Sequence, residues 1–298
     1  MMFKVPNKKE RLNAIGPLTN SKSKSLTKIL STADDYHSPI SPPENGDWLS
    51  SQKERGQTFS QFMSEWGNSV NKNRQTIYIN PLQKMDQNFL DSLLLYCQSF
   101  FYPMKLKLIN LSSLASLKVE HRINKYTKKI QYNAGEINLK ISKLVPNDAH
   151  CVLSILYDDL YPKKEWNFVF GLASYSQRVG VFSIARFNPS FYGDIEPDNI
   201  NNYILHRACS TFVHEICHTF GLNHCIYYKC LLNGSNNSEE QEKRPLIECP
   251  VCLRKLQYSI GFEPIERYKK LMDVNKILGG YFENEFKWYE NRINSLSN

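Results

Sequence analysis

The residues best suited to chemistry gather between positions 214 and 224, in the run HEICHTFGLNH. His214 and His218 are four apart, so a helix would set both imidazoles on one face, about a turn from each other. Two ring nitrogens so placed can share a metal ion. Glu215, beside the first histidine, can lean toward the same ion without ligating it. Gly221 can take the left-handed backbone that ends a helix and reverses the chain, bringing His224 back as a third nitrogen. Three imidazoles leave one corner of a tetrahedral Zn²⁺ open to water, the arrangement of a catalytic zinc rather than a structural one. The competing reading is a set of ordinary core histidines. Chance produces a bare HExxH in roughly one chain in a hundred of this length, and the added glycine and histidine lower that by roughly two to three orders of magnitude. The helix that must carry the motif is legible in Ile204, Leu205, Ala208, Cys209, Phe212, Ile216 and Phe220, which recur at helical spacing. Asn199, Asn201 and Asn202 are candidate N-caps.

A second metal pattern follows directly. Cys225, Cys230, Cys249 and Cys252 form a CxxxxC pair and a CxxC pair, with spacings suited to a closed four-cysteine zinc site. Such an ion holds a fold together and does no chemistry. A pair of disulfides is one alternative, and the N-terminus MMFKVPNKKERLNAIG lacks the apolar core of a secretory signal that would favour it; buried free cysteines are the other, and these rarely cluster in this way.

The run HExxHxxGxxH is the metzincin zinc signature, and its continuation into Cys225, Cys230 and CPVC resembles the archaemetzincins, the eukaryotic branch above all. WNFVFGLAS (166–174), VFSIARFNPSF (181–191), RPLIECPVCLRKLQ (244–257) and GFEPIERY (261–268) support the resemblance, which covers about Pro42 to the C-terminus. It implies a zinc peptidase with two ions: a catalytic one on His214, His218 and His224 with Glu215 as general base, and a structural one on the four cysteines. It also implies aminopeptidase-like action on peptides, although no acidic residue that would hold a substrate's free amine stands out, so endopeptidase cleavage stays open. In the metzincin architecture the strand before the active-site helix is the sheet edge that pairs with extended substrate. Arg178–Phe187 holds that place in order, making Val179, Gly180, Val181 and Phe182 the candidate substrate-binding residues. One departure is Leu232, where relatives usually carry a methionine beneath the metal; leucine is similar in volume, so a small packing cost is expected. A zinc-stabilised interaction scaffold without turnover is the alternative that this departure feeds. Tyr227, Tyr228 and Tyr258 are candidate oxyanion donors.

The expected fold class is α+β, a metzincin-like zincin with a twisted mixed sheet, an edge strand for substrate, a long active-site helix and a small C-terminal part holding the four-cysteine zinc. Residues 1–56, polar and rich in Ser, Asn, Lys and Pro, read as a draped or partly disordered extension. Residues 57–298 read as one catalytic domain, with the sheet and active-site helix in 57–221 and the structural zinc and final helices in 222–298. The Trp48 region and Phe59, Phe62 and Trp66 are the first residues expected to anchor the extension. Strands are expected at 77–79, 104–111, 151–157, 168–171 and 178–187, helices at 89–101, 134–144, 262–277 and 282–296, and a loop over 119–133. The net charge of +8 comes from scattered basic residues without interleaved aromatics, so nucleic acid is not an expected partner. No apolar run approaches membrane-spanning length. The expected partner is a peptide or protein substrate, the expected state a monomer, and the expected location the cytoplasm, with the nucleus as a further compartment.

Overall fold

The computed structural model describes residues 3–18, 23–65, 70 and 72–297; Trp66 lies outside them. The chain divides into two compact units. The unit of Val70–Phe220 and Leu278–Tyr281 contains β1 (Thr76–Pro81), β2 (Lys105–Leu108), β3 (His121–Ile123), β4 (Ile130–Asn133), β5 (Ala149–Leu156), β6 (Asp159–Tyr161), β7 (Gly171–Ser174) and β8 (Val179–Ser183). A five-stranded sheet runs in the order β2-β1-β5-β8-β7. Its pairs are parallel except the last, where β7 runs antiparallel to β8.

Burial explains the parallel core. Every residue of β5 and of β8 is buried, as expected of strands covered on both faces. Val179 and Val181 share a cluster with Ala134, Ile137 and Ile141 of the helix Ala134–Ile141. On the alternate face of the same strand, the Phe182 ring meets the edge of Phe212 from the helix Ile200–Thr219, with centroids 5.2 Å apart. The sheet is thus clamped between those two helices. Past β8, a buried Arg186 donates twice to Asp159, at 2.8 and 2.7 Å, and lies over the Phe168 ring. This pins the turn that leads toward the long helix.

Two expectations are corrected here. The stretch Arg178–Phe187 is not the sheet edge: β8 is bonded by β5 on one side and β7 on the other. Val179, Gly180, Val181 and Phe182 therefore have both ladder sides engaged and offer no edge to a peptide. A strand apolar on both faces is an interior strand, and the edge falls to the short, half-exposed β7. The loop expected over 119–133 contains the antiparallel pair β3–β4, joined to β6. Its Ile123 and Ile130 face each other yet stay exposed, so no buried alternation marks it in the sequence.

The other unit comprises Met1–Ser69, Gly221–Ile277 and Phe282–Asn298. Within residues 1–56, read as a polar extension, lie helices at Lys8–Ile15, Lys24–Ser31, Ala33–Tyr36 and Trp48–Ser51. Leu26, Ile29 and Leu30, the apolar stripe of the second, are all buried. Arg11 pairs with Asp34 at 3.0 Å, and Asp34 also accepts from the Tyr228 hydroxyl at 2.9 Å. Arg254 donates to the carbonyls of Ile15 and Pro17. Pro39 forms a β-bridge with Tyr228. Apart from that one apolar stripe, the polar composition hides these contacts because they run through buried arginine and through backbone carbonyls.

Candidate metal centre and active site

The helix Ile200–Thr219 is buried along most of its second half, so its side chains there sit in fixed environments. Asn199 stands at the N-cap position with φ 56°, and its side chain makes no capping bond; the Asn202 and Tyr203 N–H groups donate to its carbonyl instead. At the other end the Phe220 ring stacks on His150 at 3.9 Å and on Phe101 at 5.8 Å. Gly221 follows with φ +85°, the left-handed turn read from the sequence. A side chain there would be strained, so glycine is what the reversal requires.

One nitrogen from each of His214, His218 and His224 lies within 4.8 Å of the others. The His214 and His218 Nε2 atoms are 3.0 Å apart, with rings at 86° to one another. A tetrahedral zinc with bonds of about 2.0–2.1 Å holds its nitrogen ligands ~3.3 Å apart, so the donor set fits that ion. Glu215, 7% exposed, packs against Gly171 at the start of β7. A Cβ built on Gly171 would sit 2.7 Å from its Oε1 and 2.8 Å from its Cδ and Cγ, so only glycine at 171 leaves room for the carboxylate. Sequence reasoning misses this packing of Gly171 against Glu215. We expect Gly171→Ala to displace the carboxylate and lower turnover by about 100-fold, the cost of misplacing a reacting group by ~1 Å, with the fold retained. Steady-state kinetics beside a circular dichroism spectrum checks this; unchanged kinetics would separate Gly171 from the site.

The second donor set is the sulfur group. The Sγ atoms of Cys225, Cys230, Cys249 and Cys252 all lie within 4.8 Å of one another, are buried, and form no disulfide; Cys225 and Cys249 Sγ are 3.5 Å apart. Bonds of about 2.3 Å to a tetrahedral zinc set sulfurs ~3.8 Å apart, a spacing compatible with the 3.5 Å pair and with the 4.8 Å bound on the others. Burial pushes the Cys225 thiol up, but hydrogen bonds from Cys230, Cys249, Cys252 and the Tyr227 N–H outweigh it and bring it well below the usual thiol range. Burial holds Cys230 and Cys249 well above that range. Four buried thiols this close share their hydrogen bonds and their charge, and a divalent cation is the natural partner for deprotonating them. Cys249 is the N-cap of the helix Pro250–Ile260, and its N–H donates to Cys230 Sγ at 3.2 Å. Leu232 is fully buried and its carbonyl accepts from the Cys225 N–H at 2.8 Å, next to His224. Of the tyrosines considered as oxyanion donors, Tyr228 is committed to Asp34.

The family model for Peptidase family M54 matches residues 108–258. A protein named archaemetzincin-2 from Pongo abelii is 36% identical over 276 residues, spanning 83% of this chain and 77% of that protein. The chain belongs to peptidase family M54. The human archaemetzincin-2 is 35% identical over 292 residues, spanning 88% of the M54 chain and 79% of that relative. The crystal structure of archaemetzincin from Methanopyrus kandleri covers 65% of this chain and 99% of its own, with a TM-score of 0.50 and 22% identity, a likeness of fold. The matched stretch contains both donor sets of this M54 member, along with Gly171 and Glu215.

Proposed function

We propose that this chain is a zinc metallopeptidase that hydrolyses peptide bonds with Glu215 as general base, holding its catalytic zinc on His214, His218 and His224 and a structural zinc on the four cysteines. The observation that carries the reading is the convergence of three imidazole nitrogens beside a buried carboxylate held against a glycine of the sheet edge. A solved relative in fold, from Methanocorpusculum labreanum, is described as a zinc-dependent peptidase. When bound, zinc polarises the scissile carbonyl and makes water acidic enough to attack at neutral pH. Glu215 removes the proton from the attacking water and returns it to the leaving amine. Its neighbour on the helix face ligates, and it does not.

The same geometry redirects substrate binding to β7. The Ser183 N–H donates to the Phe170 carbonyl, and Leu172 pairs with Val181. Antiparallel alternation then turns the N–H and C=O groups of Gly171 and Ala173 outward. An extended peptide adding there gains main-chain hydrogen bonds irrespective of its sequence, alongside the residue that seats Glu215. The enzyme acts on peptides with aminopeptidase-like preference. Incubation with a defined peptide mixture, with and without N-terminal acetylation, tests both levels by mass spectrometry. Chelator-sensitive release of N-terminal residues from the free-amine peptides alone is expected. Internal cleavage of both sets would replace the aminopeptidase mode with an endopeptidase, and no chelator-sensitive cleavage would favour the inert scaffold. No helix among the described residues is long and apolar enough to cross a membrane.

A further inference from the structure

His224 is the ligand with the least intrinsic support: it follows the end of the helix, in a turn rather than on a rigid element. The structure supplies that support from residues 48–57. Glu54 Oε1 lies 2.9 Å from His224 Nδ1, and the same oxygen accepts from the Trp48 Nε1–H at 2.9 Å. The Trp48 ring stands edge-on to the His224 ring, centroids 5.1 Å apart at 84°. Trp48 is itself anchored, because its backbone N–H donates to the Glu240 carboxylate at 2.8 and 3.0 Å. Its ring also fills the space above Gly234, where a Cβ would come within 2.5 Å of Cδ1. Three residues beyond Glu54, the Gln57 amide donates to the Gly221 carbonyl and accepts from the Asn223 N–H, both at 3.2 Å. Lys255 in turn donates to Gln57 Oε1 at 3.0 Å. Both ends of the turn from Gly221 to His224 are therefore tied to the same short segment.

We propose that Glu54, oriented by Trp48, is a positioning residue for the catalytic metal site: its carboxylate accepts from His224 Nδ1–H, fixes the ring's tautomer and rotation, and leaves Nε2 with its lone pair for the ion. This rests on the reading of His224 as a zinc ligand. A carboxylate behind a ligating histidine raises the basicity of the ring and holds it in place, and losing such a partner typically weakens metal binding about 10- to 100-fold. Trp48, Glu54 and Gln57 all precede the stretch that the family model matches, 108–258. The segment that reads as a polar extension is thus part of the active site, since it holds the one ligand that the helix cannot.

The test uses the full chain with both sites loaded with zinc. Competition with a chromogenic chelator measures the affinity of each site in wild type, Glu54→Gln, Glu54→Ala and Trp48→Phe, with thermal melting recorded in parallel. Glu54→Ala is expected to weaken one zinc by about 10- to 100-fold, with Glu54→Gln and then Trp48→Phe following in smaller steps. The second zinc and the melting temperature should stay at wild-type values. Wild-type affinity in both Glu54 variants overturns the proposal. So does a parallel weakening of both zincs with a lowered melting temperature across all three variants, which would make the segment a general strut. His214→Ala separates this from failure of the parent reading: if that variant still holds two zincs, the histidine site itself is wrong. If it holds one while the Glu54 variants match wild type, only the positioning role falls.

Discussion

Glu215→Gln is expected to lower turnover of any peptide substrate by about 10²–10⁴-fold, the usual contribution of a positioned general base, while leaving the zinc content at the wild-type value. The two halves of this outcome have separate physical origins. Glutamine matches glutamate in shape, so the side chain still lies in the gap left by Gly171 and the helix packing is undisturbed. It cannot accept a proton at neutral pH, however, so the attacking water keeps its own. Zinc is retained because Glu215 is not among the three donors whose nitrogens converge. The measurement is kcat/KM on a cleaved peptide together with metal analysis of the same preparation. A variant as active as wild type would remove Glu215 from the mechanism, and one that lost a zinc would make it a ligand.

The largest effect on stability is expected from the cysteine site. Structural zinc in four-ligand sites contributes about 10–16 kcal/mol of folding free energy near neutral pH, comparable to or above the whole stability of a typical domain at about 5–15 kcal/mol. Here the four sulfurs link the segment after His224 to the start of the helix Pro250–Ile260, since Cys249 is that helix's N-cap and Cys225 adjoins His224. Cys252→Ala, or removal of zinc by a strong chelator, should therefore unfold the region from Gly221 to Ile277 and abolish catalysis, because His224 loses its footing. Limited proteolysis mapped by mass spectrometry checks this, with new cuts expected in that region. A chelated protein that keeps the wild-type cleavage pattern and melting temperature would show that the thiols pack well enough without an ion.

Some of this is legible without coordinates. The helix carrying His214 and His218 follows from the spacing of Phe212, Ile216 and Phe220, and the reversal after it follows from Gly221, whose φ is +85°. Both are local: periodicity and one permissive residue decide them. The identity of the edge strand is not legible from the order of elements alone. VGVFS reads as a strand, but its apolar residues on both faces mark an interior position, whereas β7 is only Gly171–Ser174 and too short to show alternation. Gly171 is hidden for the same reason, since its importance lies in a carboxylate 44 positions away in the sequence. Glu54 and Trp48 lie 170 and 176 positions before His224. No periodicity encodes a contact of that range, and the polar residues around them read as solvent-facing. The β3–β4 pair escapes because its facing Ile123 and Ile130 are exposed, which removes the buried-face pattern by which strands are recognised.

Anomalous diffraction collected at the zinc absorption edge from crystals of the zinc-loaded protein tests the two metal sites together. The prediction is one peak within bonding distance of His214, His218 and His224, with solvent as the fourth partner and the Glu215 carboxylate beyond reach, and a second peak among the four cysteine sulfurs. A histidine trio with no peak, or a peak whose fourth position is taken by a side chain of this protein, would contradict it.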